Sequence, residues 1–512
     1  MNIAELFRAT VESRGEAIIA FRKRGATAQS VAGLEHEAAA FAARLQAAGL
    51  QPGDAVLVFY PMSVELYVAL LALFQLGLVA MFIDPSAGQD HIERCCELHP
   101  PQALIASPKA HLLRFVSPAL RRIPHKFVLG LPCLRPLPQE QARIVAVADD
   151  HPALLTFTSG STGEPKAALR THGFLQAQHR VLEKSLALTP GEIDLTTLPI
   201  FVIANLASGV RSVIPGTDLR FPGAIDPAPV VRQIELMQPV STAASPAFLE
   251  RLADYCLLRQ IQLTSFQKIF TGGAPVFPRV LDKLQTIAPH AKIVAVYGST
   301  EAEPIAEIAC DEISEDDRNA MLQGRGLLAG KPVPEIQLRI LCDQWGKPLA
   351  PLTAAEFAAN CRAINEPGEI VVTGEHVLTG YLHGRGDEET KFKVDGQVWH
   401  RTGDVGYVDT EGRLWLLGRC AAKINDAHGT LYPFAVECAA SHHPHSRRAA
   451  LVQHKGRRLL VVELSAQKNN LNGLQKTLAW AHLDEIRIVN SIPVDKRHNA
   501  KVDYPALSKL LS

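Results

Sequence analysis

Short β-branched apolar runs alternate along this chain with longer stretches whose apolar residues recur at helical spacing. Ala55–Phe59, Val79–Ile83 and Ala103–Ala106 read as strands, almost wholly apolar and therefore expected to be buried on both faces. A helix is predicted over Val64–Leu76, with Ser63 standing where an N-cap hydroxyl belongs. Another is predicted over Lys109–Phe115, and further strands at Ala153–Phe157, Lys268–Thr271 and Ile293–Tyr297. Apolar strands spaced by helices indicate βαβ units and mainly parallel sheets. The pattern changes after about residue 330, where Ile336–Ile340, Gly368–Thr373, Gly406–Asp409 and Leu414–Leu417 are short strands with few helices between them. The last two flank Glu411-Gly412 and read as a hairpin. From Arg419 onward the pattern is mixed again, with strands at Ala449–Val452 and Leu459–Leu464. The expected class is α/β: a large N-terminal domain over 1–418, built of βαβ-type sheets with a small β-rich subdomain, and a small α+β domain over 419–512.

Leu66–Ile83 is apolar enough to raise the question of a membrane span, which needs about 18 residues or more. Gln75 and Gly77 interrupt it and Asp84-Pro85 ends it, so a buried helix followed by a buried strand is expected instead, and no membrane span. The first residues, Met1 to Leu6, show no basic stretch leading into an apolar one, so a cytoplasmic protein is expected rather than a secreted one. The 52 basic residues balance the 52 acidic ones. That argues against nucleic acid or an anionic membrane as the main partner, although a local basic patch can hide in a neutral total. The nine cysteines are odd in number, scattered and without a C-x-x-C, which reads as reduced core residues and no zinc site.

Candidate chemistry concentrates in Thr156-Phe157-Thr158-Ser159-Gly160-Ser161-Thr162-Gly163-Glu164-Pro165-Lys166, directly after a predicted strand. Glycines let a backbone approach a ligand, hydroxyls and N–H groups donate to phosphate oxygens, and a lysine supplies charge. The spacing is not that of a Walker loop, because no Gly-Lys-Ser/Thr ends it.

The run Thr-Ser-Gly-Ser-Thr-Gly-x-Pro-Lys resembles the phosphate loop of the adenylate-forming superfamily, which includes acyl- and aryl-CoA synthetases, nonribosomal peptide adenylation domains and luciferases. Other strings follow in that family's order over nearly the whole chain. Tyr297-Gly298-Ser299-Thr300-Glu301 resembles its second core motif, and Gly272-Gly273-Ala274-Pro275 the segment lining the adenosine pocket. Thr402-Gly403-Asp404 resembles the ribose motif, Gly418-Arg419 the start of the hinge, and Asn499-Ala500-Lys501 the segment carrying the terminal lysine. The resemblance implies ATP and Mg²⁺ as cofactors and a small-molecule carboxylic acid as substrate. It implies that Thr158, Ser159, Gly160, Ser161, Thr162, Gly163 and Lys166 cradle phosphates, and that the Tyr297 ring lies by adenine. Thr300 would contact the α-phosphate, Glu301 would hold magnesium, Asp404 would accept from both ribose hydroxyls and Arg419 would reach the nucleotide. Lys501, on a mobile terminal domain, would bridge carboxylate and phosphate during adenylation, a cation placed where charge develops.

Departures from the family pattern narrow the expectation. Ala167-Ala168 follows the phosphate-loop lysine where glycine is common, and Pro199-Ile200-Phe201-Val202 has valine where a histidine normally sits near the acyl pocket. Cys420-Ala421-Ala422 replaces a charged hinge, and Asn425–Thr430 lacks a glycine-rich run often found near the CoA tunnel. Four further segments, at 82–88, 108–112, 429–433 and 493–501, resemble those of the β-lactone synthetases of bacterial olefin biosynthesis. That branch implies activation of a 2-alkyl-3-hydroxy fatty acid as acyl-AMP, then closure by the substrate's own hydroxyl. An acyl-CoA ligase, or an enzyme that loads an acyl carrier protein, shares the first step and stays open as an alternative. His172 and His498 are candidates by chemistry for the hydroxyl's proton. The cluster Arg447, Arg448, Lys455, Arg457 and Arg458 is either an ordinary solvated face or a contact for an acidic carrier or pathway enzyme.

Overall fold

A computed structural model describes residues 1–14, 18–20, 29–84, 88–130, 143–159, 165–464, 471–495 and 501–512. The chain divides into two compact units, the first comprising 1–219, 232–243 and 375–387, the second 220–231, 244–374 and 388–512.

In the first unit, the apolar runs assemble into a six-stranded sheet. Its order is His125–Phe127, Ala103–Ala106, Ala55–Phe59, Val79–Phe82, Pro152–Ser159, Pro165–Thr171. Adjacent pairs are parallel up to Pro152–Ser159, and Pro165–Thr171 closes the sheet antiparallel. The intervening helix Val64–Gln75 is buried from Leu66 to Gln75, as a helix apolar on every side must be. Among the described residues no helix is long and apolar enough to cross a membrane. Ser63 precedes that helix as expected, but its hydroxyl makes no cap bond. Residues Ala110–Phe115 form a 3₁₀ helix rather than an α-helix. Outside that six-stranded sheet, Ile193–Thr196 lies parallel between Arg211–Val213 and Ser241–Ala244.

The second unit begins its sheet with Lys268–Gly272 parallel to Lys292–Ser299. The sheet continues antiparallel through Ala302–Ala309, Leu327–Pro332, Leu414–Arg419, Gln397–Val408, Gly368–Thr373 and Gln337–Leu341, with Lys391–Val394 on the long Gln397–Val408 strand. The expected hairpin pairs Val408 with Leu414. Further along, Ser446–His454, Arg457–Leu464 and Glu485–Val489 form a three-stranded sheet with apolar clusters on its two faces, one around Val436, Leu451, Leu460 and Val462, the other around Val461, Ile492 and Leu507. The class is therefore α/β with large mixed sheets. The eight described cysteines are all free, and Cys133 lies outside the described residues.

Candidate functional site

The second unit brings one set of motif residues into contact. Strands Lys268–Gly272 and Lys292–Ser299 run parallel with Gly272 opposite Val296. A Cβ on Gly272 would lie 2.7 Å from the Val296 carbonyl oxygen, so only glycine allows this approach of two backbones. Gly273, Ala274 and Pro275 leave the strand end as a bend. At the end of the neighbouring strand the register shifts between Tyr297 and Ser299, and Gly298 sits in that irregularity. Thr300 and Glu301 occupy the turn that follows. The Ser299 hydroxyl accepts from the backbone N–H groups of Glu301 and Ala302, at 3.2 Å each, and so shapes the turn that presents the Glu301 carboxylate.

Tyr297 reaches across to the ribose-motif segment. Its hydroxyl donates to Asp404 Oδ2 at 2.8 Å. Burial, with the Asp404 carboxylate beside it, holds the phenol well above its ordinary pKa. Asp404 Oδ1 accepts from Arg419 Nη1 at 3.1 Å, in register across two antiparallel strands. Arg419 also donates to the Thr402 carbonyl, and the Asp404 charge raises its pKa further. Thr402 ties the corner together: its hydroxyl donates to the Ile370 carbonyl and accepts from the Asp404 N–H. Gly403 between them has φ +72°, and a Cβ there would lie 2.9 Å from the Trp345 ring.

Lys501 belongs electrostatically to the same group. Crowding by protein atoms holds its ammonium below the ordinary lysine value, although the residue as a whole is exposed. Repulsion from Arg419 adds to this, and Asp404, Asp495 and Glu301 pull the other way. The backbone around Lys501 is fastened to Asp495 by two bonds, Lys501 N–H to Oδ1 at 3.1 Å and Asp495 N–H to the Lys501 carbonyl at 2.9 Å.

Two buried features behind these residues escaped the sequence reading. Arg401 and Glu369 form a fully buried bidentate pair, at 2.9 and 2.7 Å, next to Thr402. Lys391 Nζ lies 3.1 Å from His400 Nδ1. Burial and then Lys391 push His400 down to about 3, against the pull of Glu301, so the imidazole is neutral. Neither pair has a local sequence signal: Arg401 and Glu369 are separated by 32 positions.

The phosphate-loop residues belong to the first unit. Thr158 and Ser159 end the strand Pro152–Ser159, and Thr158 pairs with Lys166 in register. Gly160, Ser161, Thr162 and Gly163 lie outside the described residues. Lys166 Nζ stands 5.9 Å from the centroid of the Tyr381 ring, and the bare backbone of Gly386 leaves room for its side chain. Val202 is fully buried in the helix Pro199–Ser208. The opposite face of that helix, through Ile200, Ile203 and Ala204, lines a small, largely apolar pocket that is partly open to solvent.

Of the two histidine candidates, His498 lies outside the described residues. His172 is a core residue of the first unit: its Nδ1 accepts from the Ile3 N–H at 3.1 Å, its ring packs against Phe74 and His151, and burial drops it to about 4. Its ring is fully enclosed in the core, with Nδ1 engaged by the Ile3 N–H. The basic cluster is also largely committed. Arg458 is buried in a bidentate pair with Asp426, at 2.7 Å to each oxygen, and Arg447 and Arg448 both pair with Glu463.

Comparison with known proteins shows the family. The AMP-binding enzyme family matches residues 7–382. An olefin β-lactone synthetase of Stenotrophomonas maltophilia is 31% identical over 505 residues, covering 93% of this chain and 90% of that protein. Its counterpart from Xanthomonas campestris is 31% identical over 94% of this chain and 90% of its own length. A 2-succinylbenzoate–CoA ligase of Bacillus licheniformis is 28% identical over 82% of this chain and 80% of its own length. Among solved structures, the amide bond synthetase McbA from Marinactinospora thermotolerans superposes with a TM-score of 0.81 at 21% identity, each chain covered completely, which speaks for the fold. The chain belongs to the AMP-binding enzymes and is an adenylate-forming, AMP-producing ligase.

Proposed function

We propose that the protein converts a 2-alkyl-3-hydroxy fatty acid and Mg-ATP into a β-lactone, AMP and pyrophosphate. The observation that carries this reading is similarity to two olefin β-lactone synthetases along more than nine-tenths of the chain, at 31% identity. Asp404, with Tyr297 and Arg419 fixing its two oxygens, would hold the ribose hydroxyls, and Gly272 to Pro275 would line the adenosine pocket. Lys166 and the hydroxyl-rich segment from Thr158 to Thr162 would cradle the phosphates. Glu301 would hold a magnesium ion beside the Thr300 hydroxyl. Its turn offers oxygen donors, and no cluster of three or more His, Cys, Asp or Glu is present among the described residues. One carboxylate suits an ion that keeps waters and substrate phosphates as its other ligands, and a bound ion would neutralise phosphate charge.

In the first step a carboxylate oxygen of the acid bonds to the α-phosphorus, and the bond to pyrophosphate breaks. The Lys501 ammonium is the chain's cation for the charge that develops there. In the second step the 3-hydroxyl oxygen bonds to the acyl carbon, AMP leaves and the hydroxyl proton is released. Ring strain makes near-attack positioning of hydroxyl and carbonyl essential. Residues 419–512, with their own sheet and apolar clusters, would act as the body that delivers Lys501.

A second reading, an acyl-CoA ligase, is favoured by the similarity to 2-succinylbenzoate–CoA ligase. Product analysis separates the two. Purified protein is incubated with Mg-ATP and a 2-alkyl-3-hydroxy fatty acid, with and without CoA. AMP and β-lactone formed without CoA are expected. AMP formed only with CoA, together with a thioester, overturns the lactone reading.

A further inference from the structure

The first unit carries a surface patch that the site described above does not use. Residues 101–130 hold five Lys or Arg side chains, Lys109, Arg114, Arg121, Arg122 and Lys126, and no Asp or Glu, in a chain whose formal charge is zero. Within this stretch the 3₁₀ helix Ala110–Phe115 packs Ala110 and Leu113 against the apolar cluster of Leu57, Leu104 and Leu120. Side chains three apart eclipse on such a helix, so Leu112 and Phe115 share the outward face. They are 61% and 74% exposed, and Val116 beside them is 59% exposed. Three large apolar side chains this exposed at one spot are unfavourable in water, and transfer into an apolar phase that can receive them lowers the free energy.

The cations that share the segment are not spent on carboxylates. Arg114 donates to the His111 carbonyl, Arg121 to those of Arg114 and Phe115, Arg122 to that of Pro118, and Lys126 to that of Ile123. None of the five makes an ion pair among the described residues. Lys109, Arg121 and Arg122 are exposed. Apolar side chains that can enter an acyl layer, with unneutralised cations in the same short segment, form the chemistry that interfacial anchors present to anionic lipid headgroups.

We propose that this patch docks the protein on an anionic membrane surface, with Leu112, Phe115 and Val116 inserted at the level of the headgroups and the exposed Lys109, Arg121 and Arg122 facing lipid phosphates. The docking is peripheral and involves no spanning segment. It stands on the patch alone, independently of which acid the enzyme activates.

Flotation of the purified full-length protein with vesicles tests this. Phosphatidylcholine vesicles containing phosphatidylglycerol are compared with phosphatidylcholine alone, at low and high salt. Binding is expected to the anionic vesicles only and to fall with salt. Leu112→Ser with Phe115→Ser is expected to lower the partition coefficient at least tenfold. Arg121→Gln with Arg122→Gln is expected to lower it about 25-fold, from roughly fivefold per cation. Arg121→Lys with Arg122→Lys keeps the charge and should keep the binding, and Phe115→Trp should strengthen it, so a misfolded variant cannot imitate the result. Failure of the wild-type protein to float with anionic vesicles at low salt overturns the proposal, as does a partition unchanged by both disruptive variants. Capture of an acidic soluble protein through these residues, without vesicle binding, also overturns it and assigns the patch to a protein partner.

Discussion

Asp404 accepts from Tyr297 on one oxygen and from Arg419 on the other. A carboxylate offers about four lone-pair directions, so two stay available for a pair of ribose hydroxyls. The Tyr297 hydroxyl thus orients the carboxylate. In Tyr297→Phe one charge-assisted bond is lost while Arg419 and the Asp404 backbone stay tied. Such a bond is worth about 1.5–3 kcal/mol, so KM for ATP should rise roughly tenfold or more with kcat little changed, the signature of lost uniform binding. Steady-state kinetics over an ATP series reads the split directly. A different split is expected at Lys501. Its cation acts where charge develops, so Lys501→Ala should slow acid-dependent ATP–pyrophosphate exchange by about 10²–10³ while nucleotide binding persists. Because crowding and Arg419 hold the ammonium below its ordinary pKa of 10.5, the wild-type rate should begin to fall with rising pH before a free lysine would lose its proton. A rate flat through pH 10 would remove the ammonium from that role.

Strands place these residues, and what holds the strands was only partly legible in the sequence. Apolar runs marked Lys268–Gly272, Lys292–Ser299, Gly368–Thr373 and Leu414–Arg419, because local periodicity carries that information, whereas Ala302–Ala309, Leu327–Pro332 and the Gln397–Val405 part of the strand that carries Asp404 went unread. The Glu369–Arg401 pair was not legible: two charged residues on strands 32 positions apart become a buried pair only through sheet register. The Ser299 hydroxyl accepts from the backbone N–H groups of Glu301 and Ala302, a turn-shaping role that a motif string cannot reveal. Burial pushes Glu369 up even against the pull of Arg401, so removing the arginine alone strands a buried carboxyl. Arg401→Met should cost about 3–5 kcal/mol in denaturant unfolding, and adding Glu369→Leu should recover much of it. Glu437 gives a pH-dependent counterpart. It sits buried in the helix Pro433–Ser441, accepting from the Leu451 N–H and the Tyr504 hydroxyl, and burial raises it to about 7. A carboxyl with a raised folded-state pKa holds its proton longer in the folded chain than in the unfolded one. Its contribution is full below the unfolded value of about 4.5 and is lost as pH climbs toward 7, by on the order of 3 kcal/mol. Glu437→Gln should flatten that part of the stability curve and stabilise the protein at pH 8; an unchanged slope would place the proton elsewhere.

Within the second unit, residues 419–512 are fastened to the preceding sheets at several points. Trp480 donates from Nε1 to the Leu322 carbonyl at 3.3 Å, and its ring covers Gly324, where a Cβ would collide with it. Arg279 donates to the carbonyls of Ser446 and Arg447, and Phe277 meets Phe434 edge to face with centroids 6.3 Å apart. These contacts hold the arrangement in which Lys501 feels Glu301, Asp404 and Arg419. On the proposed chemistry that arrangement has a consequence for the order of events. A thioester-forming ligase must leave it to admit a thiol, whereas a hydroxyl already on the bound acid needs no new entrance. Ring closure should then follow adenylation without release of these contacts. Trp480→Ala, which removes the contacts with Leu322 and Gly324 and none of the named site residues, provides the test. If both steps share the arrangement, single-turnover measurements should show pyrophosphate and lactone slowed by the same factor and still appearing together. If closure requires the terminal residues to swing away, the variant should slow pyrophosphate formation yet leave closure unchanged or faster, and the wild-type protein should show a pyrophosphate burst ahead of the lactone. Such a burst would end the single-arrangement reading even with a β-lactone confirmed as the product.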